Sequence, residues 1–358
     1  MVKLKSNMVD ALLLRFLVGK GGETKRKIEK DTSTHLHIPS SDLAKQDSSI
    51  VVRGFSKANV HKAVSQIQHL LQEVIESPTV EYSHFISLPL AVYSDLVVKV
   101  NQFHESVLGT LTEGEEGNQV ELVRLPIESS LSHTVGTSAC QSESLKDLDY
   151  DSLHNLMEPD DDARKQKQLK TGHVLDKSIL IEPATLHLTV LMLKLWSKER
   201  VAAATEVLQG LNPKVHEALK HRPVAVRLKG LECMKGSPAK AHVLYAKVEN
   251  SDEATRLLHA CNVIKNAFVE AGLVLEKDKK QELKMHVTLV NTRHQDRGQG
   301  AVIRRRLAFD ARHIISRYAS EEWGEYTITE AHLSQRNIYS DDGYYHCCSS
   351  IKFPSLQM

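Results

Sequence analysis

The sequence predicts an α+β protein built from two modules. Three observations favour this fold class. The chain has 358 residues, which is the size of two average domains. Its hydrophobic fraction of 41% is mainly aliphatic, since aromatic residues make up only 5%. Helical and strand-like periodicities alternate along the chain on both sides of one acidic, polar stretch.

The overall composition excludes several classes of protein. There are 46 basic and 45 acidic residues, so any affinity for a polyanion has to come from local clusters of charge. The five cysteines form no C-x-x-C pair, so we expect neither a zinc ribbon nor a disulfide framework, and a reducing compartment fits best. No apolar run approaches the roughly 20 residues that span a bilayer, so no membrane partner is expected.

Residues 1–77 form the first predicted module. Only residues 2–4 precede its first helix, so we expect a sheet whose first strand is short or missing. After a glycine-containing turn, the periodicity predicts a basic helix, two strands and a long amphipathic helix, at residues 23–30, 35–38, 50–52 and 56–76. The order is therefore helix, turn, helix, strand, strand, helix.

The glycine-containing turn is the candidate nucleic-acid contact of this module. Two closely spaced glycines with exposed N–H groups, and a lysine at the tip, can clamp a nucleic-acid backbone. An ordinary turn between helices is the alternative for so short a motif, but the surrounding order of elements and the 12 basic against 8 acidic residues of the module favour RNA. The predicted RNA-binding residues are Gly19, Lys20, Gly21, Gly22, Lys25 and Arg26.

The second predicted module comprises residues 80–108 and 171–357. Residues 109–170 contain 13 acidic and 6 basic residues and little apolar surface, so we predict a disordered insertion with one strand at 120–125. In the module itself the patterns predict strands at 82–89, 186–193, 224–228, 242–248, 284–290, 326–333 and 344–353, and helices at 92–108, 198–208, 252–271 and 310–319.

Two of these strands repeat one pattern. Residues 186–191 (LHLTVL) and 285–290 (MHVTLV) both read apolar-His-apolar-Thr-apolar-apolar. A chain with 19 His and 17 Thr contains about one H-x-T triplet by chance, so a single copy would carry no information. Two copies in the same apolar frame, about 100 residues apart, indicate an internal duplication.

The spacing of this pattern suggests a chemistry. Side chains at i and i+2 of a strand share a face, so each segment presents an imidazole beside a hydroxyl. If the duplication brings both strands together, one neutral histidine can accept a proton from an attacking hydroxyl while the other, as imidazolium, protonates the leaving oxygen. The threonine hydroxyls can donate to phosphate oxygens. The predicted catalytic residues are His187 and His286, and the predicted phosphate-binding residues are Thr189 and Thr288.

Other interpretations of these residues are open. Either histidine alone is more often an interior strand residue with satisfied hydrogen bonds. A metal site is disfavoured because each segment supplies one nitrogen ligand and no carboxylate, so we expect neither a metal nor a cofactor. A third triplet, His332 and Ser334 with Arg336 beyond it, is interpreted as structural, with a phosphate contact by Arg336 as the alternative.

At these motifs the sequence resembles two known families. Residues 7–77 resemble a type I KH domain with the glycine turn as its GXXG loop. Residues 80–355 resemble the 2H phosphoesterase superfamily, which is named for two H-x-T/S motifs and has a bilobal, pseudo-twofold fold. The resemblance implies binding of single-stranded RNA and metal-independent phosphodiester chemistry. The combination of modules implies a nuclear location, with the cytoplasm as a second location, and a helicase-containing coactivator complex in transcription or DNA repair.

Two functions follow from the sequence. The first is an RNA phosphodiesterase that acts on RNA or on a 2′,3′-cyclic phosphate through the paired histidines. The alternative is a non-catalytic RNA-binding adaptor that keeps the cleft only to bind a phosphate. Both motifs are intact, which favours the enzyme. A protein that only binds phosphate would not need two imidazoles, because Arg or Lys binds phosphate better.

Overall fold

The computed structural model describes residues 2–6, 13–40, 49–109, 175–234, 236–295 and 307–355. One compact unit comprises Met1–Val107 and Leu175–Met358, and it contains both predicted modules. The predicted insertion, from residue 110 onward, and its predicted strand at 120–125 lie outside the described residues. Within the described ranges, no helix has the length and apolar character that crossing a membrane requires.

The first module contains a three-stranded antiparallel sheet with the strand order β1-β3-β2. Its strands are β1 (Val2–Ser6), β2 (Thr34–His37) and β3 (Ile50–Gly54). The first strand, which the sequence predicted to be short or missing, is present, and β1 pairs with β3 along all five of its residues. Backbone pairing along the edge of β3 extends β1 through Lys5 and Ser6, which give no apolar signal in the sequence.

Three helices cover this sheet: α1 (Leu14–Val18), α2 (Glu23–Thr32) and α3 (Lys57–Glu76). The Ser56 hydroxyl caps α3 by accepting a hydrogen bond of 3.1 Å from the Asn59 N–H. The predicted amphipathic helix is confirmed, since its buried face repeats at three- and four-residue steps through Val60, Ala63, Ile67, Leu71 and Ile75. This face packs against Leu17, Leu36 and Val52 in the core of the module.

A buried lysine joins the two modules. Lys194 is 2% exposed, and its ammonium donates hydrogen bonds of 2.6 Å to the Ile75 carbonyl and 2.8 Å to the Ser77 carbonyl. These carbonyls lie at the end of α3, where unpaired backbone acceptors favour a cation. The Trp196 indole donates to the Glu81 carbonyl at 2.9 Å and packs against the first module's core. The modules are therefore connected by specific buried contacts as well as by the chain.

The second module contains an eight-stranded antiparallel sheet with the strand order β11-β10-β4-β5-β8-β7-β6-β9. We call the first four of these strands lobe 1 and the last four lobe 2. In chain order the strands are β4 (His84–Pro89), β5 (His187–Leu193), β6 (Ala225–Cys233), β7 (Val243–Val248), β8 (His286–Asn291), β9 (Glu322–Thr327), β10 (Glu330–Tyr339) and β11 (Tyr345–Lys352).

The helices of the second module are α4 (Ser94–Gly109), α5 (Lys198–Gly210), α6 (Asn212–Ala218), α7 (Asp252–Glu270), α8 (Glu276–Lys279) and α9 (Arg312–Tyr318). The order β4-α4-β5 in lobe 1 repeats as β7-α7-β8 in lobe 2. Each repeat ends with one of the two H-x-T strands, so the structure has the predicted pseudo-twofold organisation. The sequence patterns missed α6, whose start at Asn212 follows directly on α5.

One predicted strand is wrong. The single strand predicted at 326–333 is two strands, because β9 lies at the outer edge of lobe 2 whereas β10 lies between β4 and β11 in lobe 1. The chain crosses between the lobes at Ile328, which is fully buried and donates its N–H to the Val224 carbonyl at 2.8 Å. Neither Gly nor Pro marks this crossing, so only tertiary packing determines it.

Candidate active site

The two H-x-T strands are neighbours in the sheet. β5 and β8 pair antiparallel through Leu188 and Val287, which are both fully buried. Antiparallel register around this pair puts His187 beside Thr288 and Thr189 beside His286, on the opposite face from Leu188 and Val287. All four side chains are half-buried. The structure therefore brings the four residues predicted for catalysis and phosphate binding to one place, where the two lobes meet.

The two strands share a local irregularity. Each has a bulge directly after its motif threonine, at Val190 in β5 and at Leu289 in β8. The alternation of half-buried and buried residues is the same in both strands up to and beyond the bulge. The bulge ends the alternation at the threonine, so each strand presents its histidine and threonine on the site face and then turns inward. The duplication thus extends to backbone detail.

Backbone carbonyls orient the two imidazoles in the same way. His187 Nδ1 lies 2.7 Å from the Thr185 carbonyl oxygen, and His286 Nδ1 lies 2.6 Å from the Lys284 carbonyl oxygen. A carbonyl only accepts, so Nδ1 carries the proton in both rings and Nε2 is left as the acceptor of the neutral imidazole. The Thr189 hydroxyl, 3.0 Å from His187 Nε2, then donates to that nitrogen.

The surroundings of His187 are aromatic. The ring centroids of Phe85 and Tyr345 lie 5.0 and 5.6 Å from that of His187. The pKa of His187 is lowered to about 4, mainly by burial, with the Thr185 carbonyl opposing this shift and the neighbouring His286 adding to it. His187 is therefore a neutral imidazole at pH 7 in the free protein.

The surroundings of His286 are polar and charged. The Tyr245 ring meets it edge to face, with the centroids 5.1 Å apart. The Tyr245 hydroxyl donates a 2.6 Å hydrogen bond to Glu232 and accepts one from the Lys284 ammonium. Burial lowers the pKa of His286, and the Lys284 ammonium contributes to the shift. Both histidines thus titrate below their ordinary range.

The glycine turn of the first module is a tight turn between two helices. Lys20–Gly22 forms a single turn of 3-10 helix between α1 and α2, and Gly21 and Gly22 have φ angles of 58° and 79°. A Cβ on Gly19 would overlap the Thr24 side chain, so this position requires glycine. The Lys20 side chain is exposed at the turn.

The two basic residues predicted beside this turn have different contacts. The Arg26 guanidinium folds back onto the turn, where Nη2 donates to the Gly21 carbonyl at 2.6 Å and Nε donates to the Gly22 carbonyl at 3.3 Å. The Lys25 ammonium lies 3.9 Å from Glu29 on α2. Arg26 therefore stabilises the turn, whereas Lys25 is free to move because an exposed ion pair at this distance is weak.

The third triplet is embedded in structural contacts. The Ser334 hydroxyl is fully buried and lies 2.9 Å from the Ser87 hydroxyl, and His332 Nε2 lies 3.3 Å from Glu330. Arg336 pairs with Glu81 and also donates to the Tyr82 carbonyl. These contacts agree with the structural interpretation of the triplet. Among the described residues, no group of three or more His, Cys, Asp or Glu side chains has the arrangement of a metal site.

Several side chains of the site have no signal in the sequence. Phe85 and Tyr345 come from β4 and β11, and Glu232 and Tyr245 come from β6 and β7, so four strands distant in sequence supply them. The carbonyls that orient the imidazoles belong to the residues two positions before each histidine. Every residue has a carbonyl, so this spacing gives no signal in the sequence.

Comparisons with known proteins agree with this fold. A family model described as the AKAP7 2′5′ RNA ligase-like domain matches residues 82–353, and a KH domain model matches residues 8–69. The fold and the motifs thus define a two-histidine phosphoesterase-type protein with an N-terminal KH domain. The match spans more than half of the chain, which therefore belongs to the AKAP7 2′5′ RNA ligase-like family.

Individual relatives are distant. The chain is 25% identical, over 356 residues, to activating signal cointegrator 1 complex subunit 1 of Mus musculus, a match that covers 96% of this chain and 82% of the relative. Escherichia coli LigT in complex with NADP⁺ matches with 11% identity and a TM-score of 0.37, over 77% of this chain and 99% of LigT. The protein TT0787 of Thermus thermophilus matches with 17% identity and a TM-score of 0.31, over 55% and 91% of the two chains.

Proposed function

We propose that the protein is a metal-independent phosphodiesterase that acts on RNA or on a 2′,3′-cyclic phosphate. The observation that carries this proposal is the antiparallel pairing of Leu188 with Val287, since it places both imidazoles and both hydroxyls on one face. Two imidazoles and two hydroxyl donors suit the transfer of a phosphoryl group between oxygen atoms, which needs one base, one acid and hydrogen bonds to the phosphate.

In this mechanism the histidines exchange one proton through the substrate. A neutral imidazole accepts the proton of the attacking hydroxyl or water at Nε2, and the oxygen forms its bond to phosphorus. The other histidine, as imidazolium, donates its Nε2 proton to the leaving oxygen when that bond breaks. The carbonyls of Thr185 and Lys284 hold Nδ1–H in both rings, so Nε2 is the reacting atom on each side.

Binding of the phosphate anion is what brings one of the two histidines into its protonated form. Both histidines are largely neutral in the free protein because burial lowers both pKa values. A bound phosphate anion between them favours protonation of one ring, since an opposite charge within a few ångströms raises the pKa of an imidazole. The hydroxyls of Thr189 and Thr288 then donate to the non-bridging oxygens, and Thr189 exchanges its donation to His187 for one to the phosphate.

The KH module is proposed to hold the single-stranded RNA. Its glycine turn carries the exposed Lys20 and the backbone of Gly21, around which there is open space, while Arg26 stabilises the turn from behind. The mouse relative is by its name a subunit of a coactivator complex. We extend this to the present chain as a nuclear subunit of a coactivator complex, one that contains a helicase as the combination of modules implies.

The direct test uses the purified full-length protein with EDTA present. The substrates are 5′-end-labelled single-stranded RNA and oligonucleotides that end in a 2′,3′-cyclic phosphate, and products are separated by electrophoresis. We expect cleavage or ring opening by the wild type. The His187→Ala protein, purified and assayed in the same way, should show little or no turnover compared with the wild type. Absence of turnover on both substrates would favour the adaptor function instead.

A second variant separates RNA binding from catalysis. Replacing Lys20 and Gly21 by Asp places two carboxylates where the phosphates are expected. The space around Gly21 is open, and Asp is one of the few side chains that tolerate its left-handed φ of 58°. Binding of long single-stranded RNA should weaken, while turnover of a cyclic-phosphate dinucleotide should not change. Lys62→Asp is the control, since Lys62 contacts the Asp31 carbonyl at the opposite end of α2. Equal RNA affinity for the wild type and the turn variant would refute the clamp.

A further inference from the structure

The neighbours of the two catalytic histidines differ at equivalent positions. Across the sheet, His187 is paired with Pro89 of β4, whereas His286 is paired with Lys247 of β7. Two residues before each histidine, lobe 1 has Thr185 and lobe 2 has Lys284. Pro89 and Thr185 are buried and uncharged, while the two lysine side chains are 49% and 61% exposed. At these two equivalent positions, lobe 2 therefore carries two cations and lobe 1 carries none.

These two cations are held by one carboxylate. Glu232 of β6 lies 3.1 Å from the Lys247 ammonium through Oε1 and 3.7 Å from the Lys284 ammonium through Oε2. The Lys284 ammonium also lies over the Tyr245 ring, 4.7 Å from its centroid, and donates to the Tyr245 hydroxyl. Tyr245 is fully buried, so it fixes Glu232 and Lys284 from below. The ammonium groups are thus kept together on the face that carries His286.

The two lysines lie beside the place proposed for the phosphate that is cleaved, so they are not positioned to bind that phosphate. Lys247 lies one strand further from β5 than His286 does, a step of about 4.8 Å. Lys284 lies two residues before His286, just outside β8, a step of at most about 6.6 Å along the direction of the strand. The scissile phosphate lies between β5 and β8, where the two motifs meet. The lysines therefore flank this space from lobe 2 and face the next group of a longer substrate.

We propose that Lys247 and Lys284 form a second phosphate subsite, and that the preferred substrate is an oligonucleotide carrying a phosphate next to the scissile one. The proposal rests on the proposed function for the place of the scissile phosphate. A cyclic mononucleotide has no second phosphate and cannot use the subsite. Lobe 1 offers the rings of Phe85 and Tyr345 at its side of the cleft, so the charged end of such a substrate binds in lobe 2.

Glu232 occupies the subsite in the free protein. Its carboxylate is an anion between two ammonium groups, which is the arrangement a phosphate would adopt there. Ion pairs between exposed side chains are weak because water competes for both partners, so an incoming phosphate can displace this carboxylate. Glu232 then remains bound to the Tyr245 hydroxyl. The carboxylate keeps the lysines in place and limits how tightly the subsite binds an anion.

Binding to short, uncleavable ligands tests the subsite. The ligands are 2′-O-methyl dinucleotides without a terminal phosphate, with a 5′-phosphate or with a 3′-phosphate, all shorter than the four nucleotides that a KH domain clamps. Affinities for the full-length protein are measured by calorimetry over a range of salt concentrations. We expect one of the two phosphorylated ligands to bind about tenfold more tightly than the unphosphorylated one, the effect of one charge-assisted hydrogen bond.

The variants assign this preference to the two lysines. Lys247→Met and Lys284→Met should each reduce the preference, and the double variant should abolish it and reduce the salt dependence. Lys352→Met is the matched control, since Lys352 is an exposed, ion-paired lysine of lobe 1, on β11 and 2.6 Å from Glu330. It should keep the full preference. Glu232→Gln should increase the affinity for the phosphorylated ligand, because it removes the competing charge but still accepts from Tyr245.

The outcomes separate the subsite from the catalytic function. A preference that survives in the Lys247→Met/Lys284→Met protein, or its absence in the wild type, overturns the subsite and leaves an ion-paired surface without a ligand. If the wild type shows the preference but turns over no substrate with a free 2′-hydroxyl, the subsite stands and the phosphodiesterase function fails. The lysines are exposed, so we expect the variants to fold, and circular dichroism checks this.

Discussion

The two lobes of the second module have the same backbone but unlike surroundings. Both end a strand–helix–strand repeat with an H-x-T strand, and both place a bulge after the threonine. Lobe 1 surrounds His187 with Phe85 and Tyr345, whereas lobe 2 surrounds His286 with Tyr245, Glu232 and lysines. The shared histidine and threonine are the side chains that the proposed chemistry requires on both sides of a phosphate. The divergent part gives the cleft a direction, since the positions that hold Lys247 and Lys284 in lobe 2 hold the uncharged Pro89 and Thr185 in lobe 1.

The largest effects are expected where the lobes are equivalent. His187→Ala and His286→Ala should each lower the turnover of a cyclic-phosphate dinucleotide by about 10²–10⁴-fold, because each removes a general acid or base. His332→Gln is the control from the third triplet and should keep the wild-type rate. Initial rates at saturating substrate measure the effect. If one of the two variants keeps the wild-type rate, only one lobe contributes to the chemistry and the equivalence is wrong.

Smaller effects are expected at the threonines. Thr189→Val and Thr288→Val keep the branched shape of the side chain but lose the hydroxyl, so each should cost about 1.5–3 kcal/mol of transition-state stabilisation. Thr189→Ser and Thr288→Ser retain the donor and should remain close to the wild type. The ratio kcat/KM measures the loss. Valine variants that equal the serine variants would show that these hydroxyls do not contact the phosphate.

The dependence on pH reports the environments of the two histidines. Burial lowers the pKa of both, to about 4 for His187, so the protonated form of either ring becomes rarer as pH rises towards 7. We expect kcat/KM, which reflects the free protein, to be highest below pH 6.5 and to fall towards neutrality. The optimum of kcat should lie at higher pH, because bound phosphate raises the pKa of the imidazolium.

The same profile distinguishes the two lobes. Lys284 contributes to the low pKa of His286, and lobe 1 has the uncharged Thr185 at the equivalent position. Lys284→Met should therefore move the fall of kcat/KM to higher pH, whereas the control Lys352→Met should not. An optimum of kcat/KM above pH 7 in the wild type would contradict two buried, neutral histidines.

Sequence patterns predicted the parts of this molecule that depend on local spacing. The repeated H-x-T pattern located both motif strands, and the steps of three and four residues located the buried face of α3. The adjacency of β5 and β8 required the additional inference of a duplication. That inference came from comparing two segments of the chain, not from either segment alone.

Long-range packing determines the parts that the patterns missed. β1 exists because β3 offers it a partner, and the division between β9 and β10 depends on a crossing at Ile328 that no residue type marks. The contrast between Thr185 and Lys284 can be read from the sequence, but the contrast between Pro89 and Lys247 requires the register that pairs each histidine with its neighbour. The charge on the lobe 2 side of the cleft therefore depends on which strands are paired, and the H-x-T motif alone does not predict it.

The central claim is that one catalytic unit is divided between the two lobes, and a double-mutant cycle tests it most directly. The turnover of a cyclic-phosphate dinucleotide is measured for the wild type, His187→Ala, His286→Ala and the protein with both changes. Residues that act as a unit are strongly non-additive, so the double variant should be within a few-fold of the slower single variant. Losses that multiply, giving about 10⁴–10⁸-fold for the double variant, would mean that the histidines act independently and would contradict the claim.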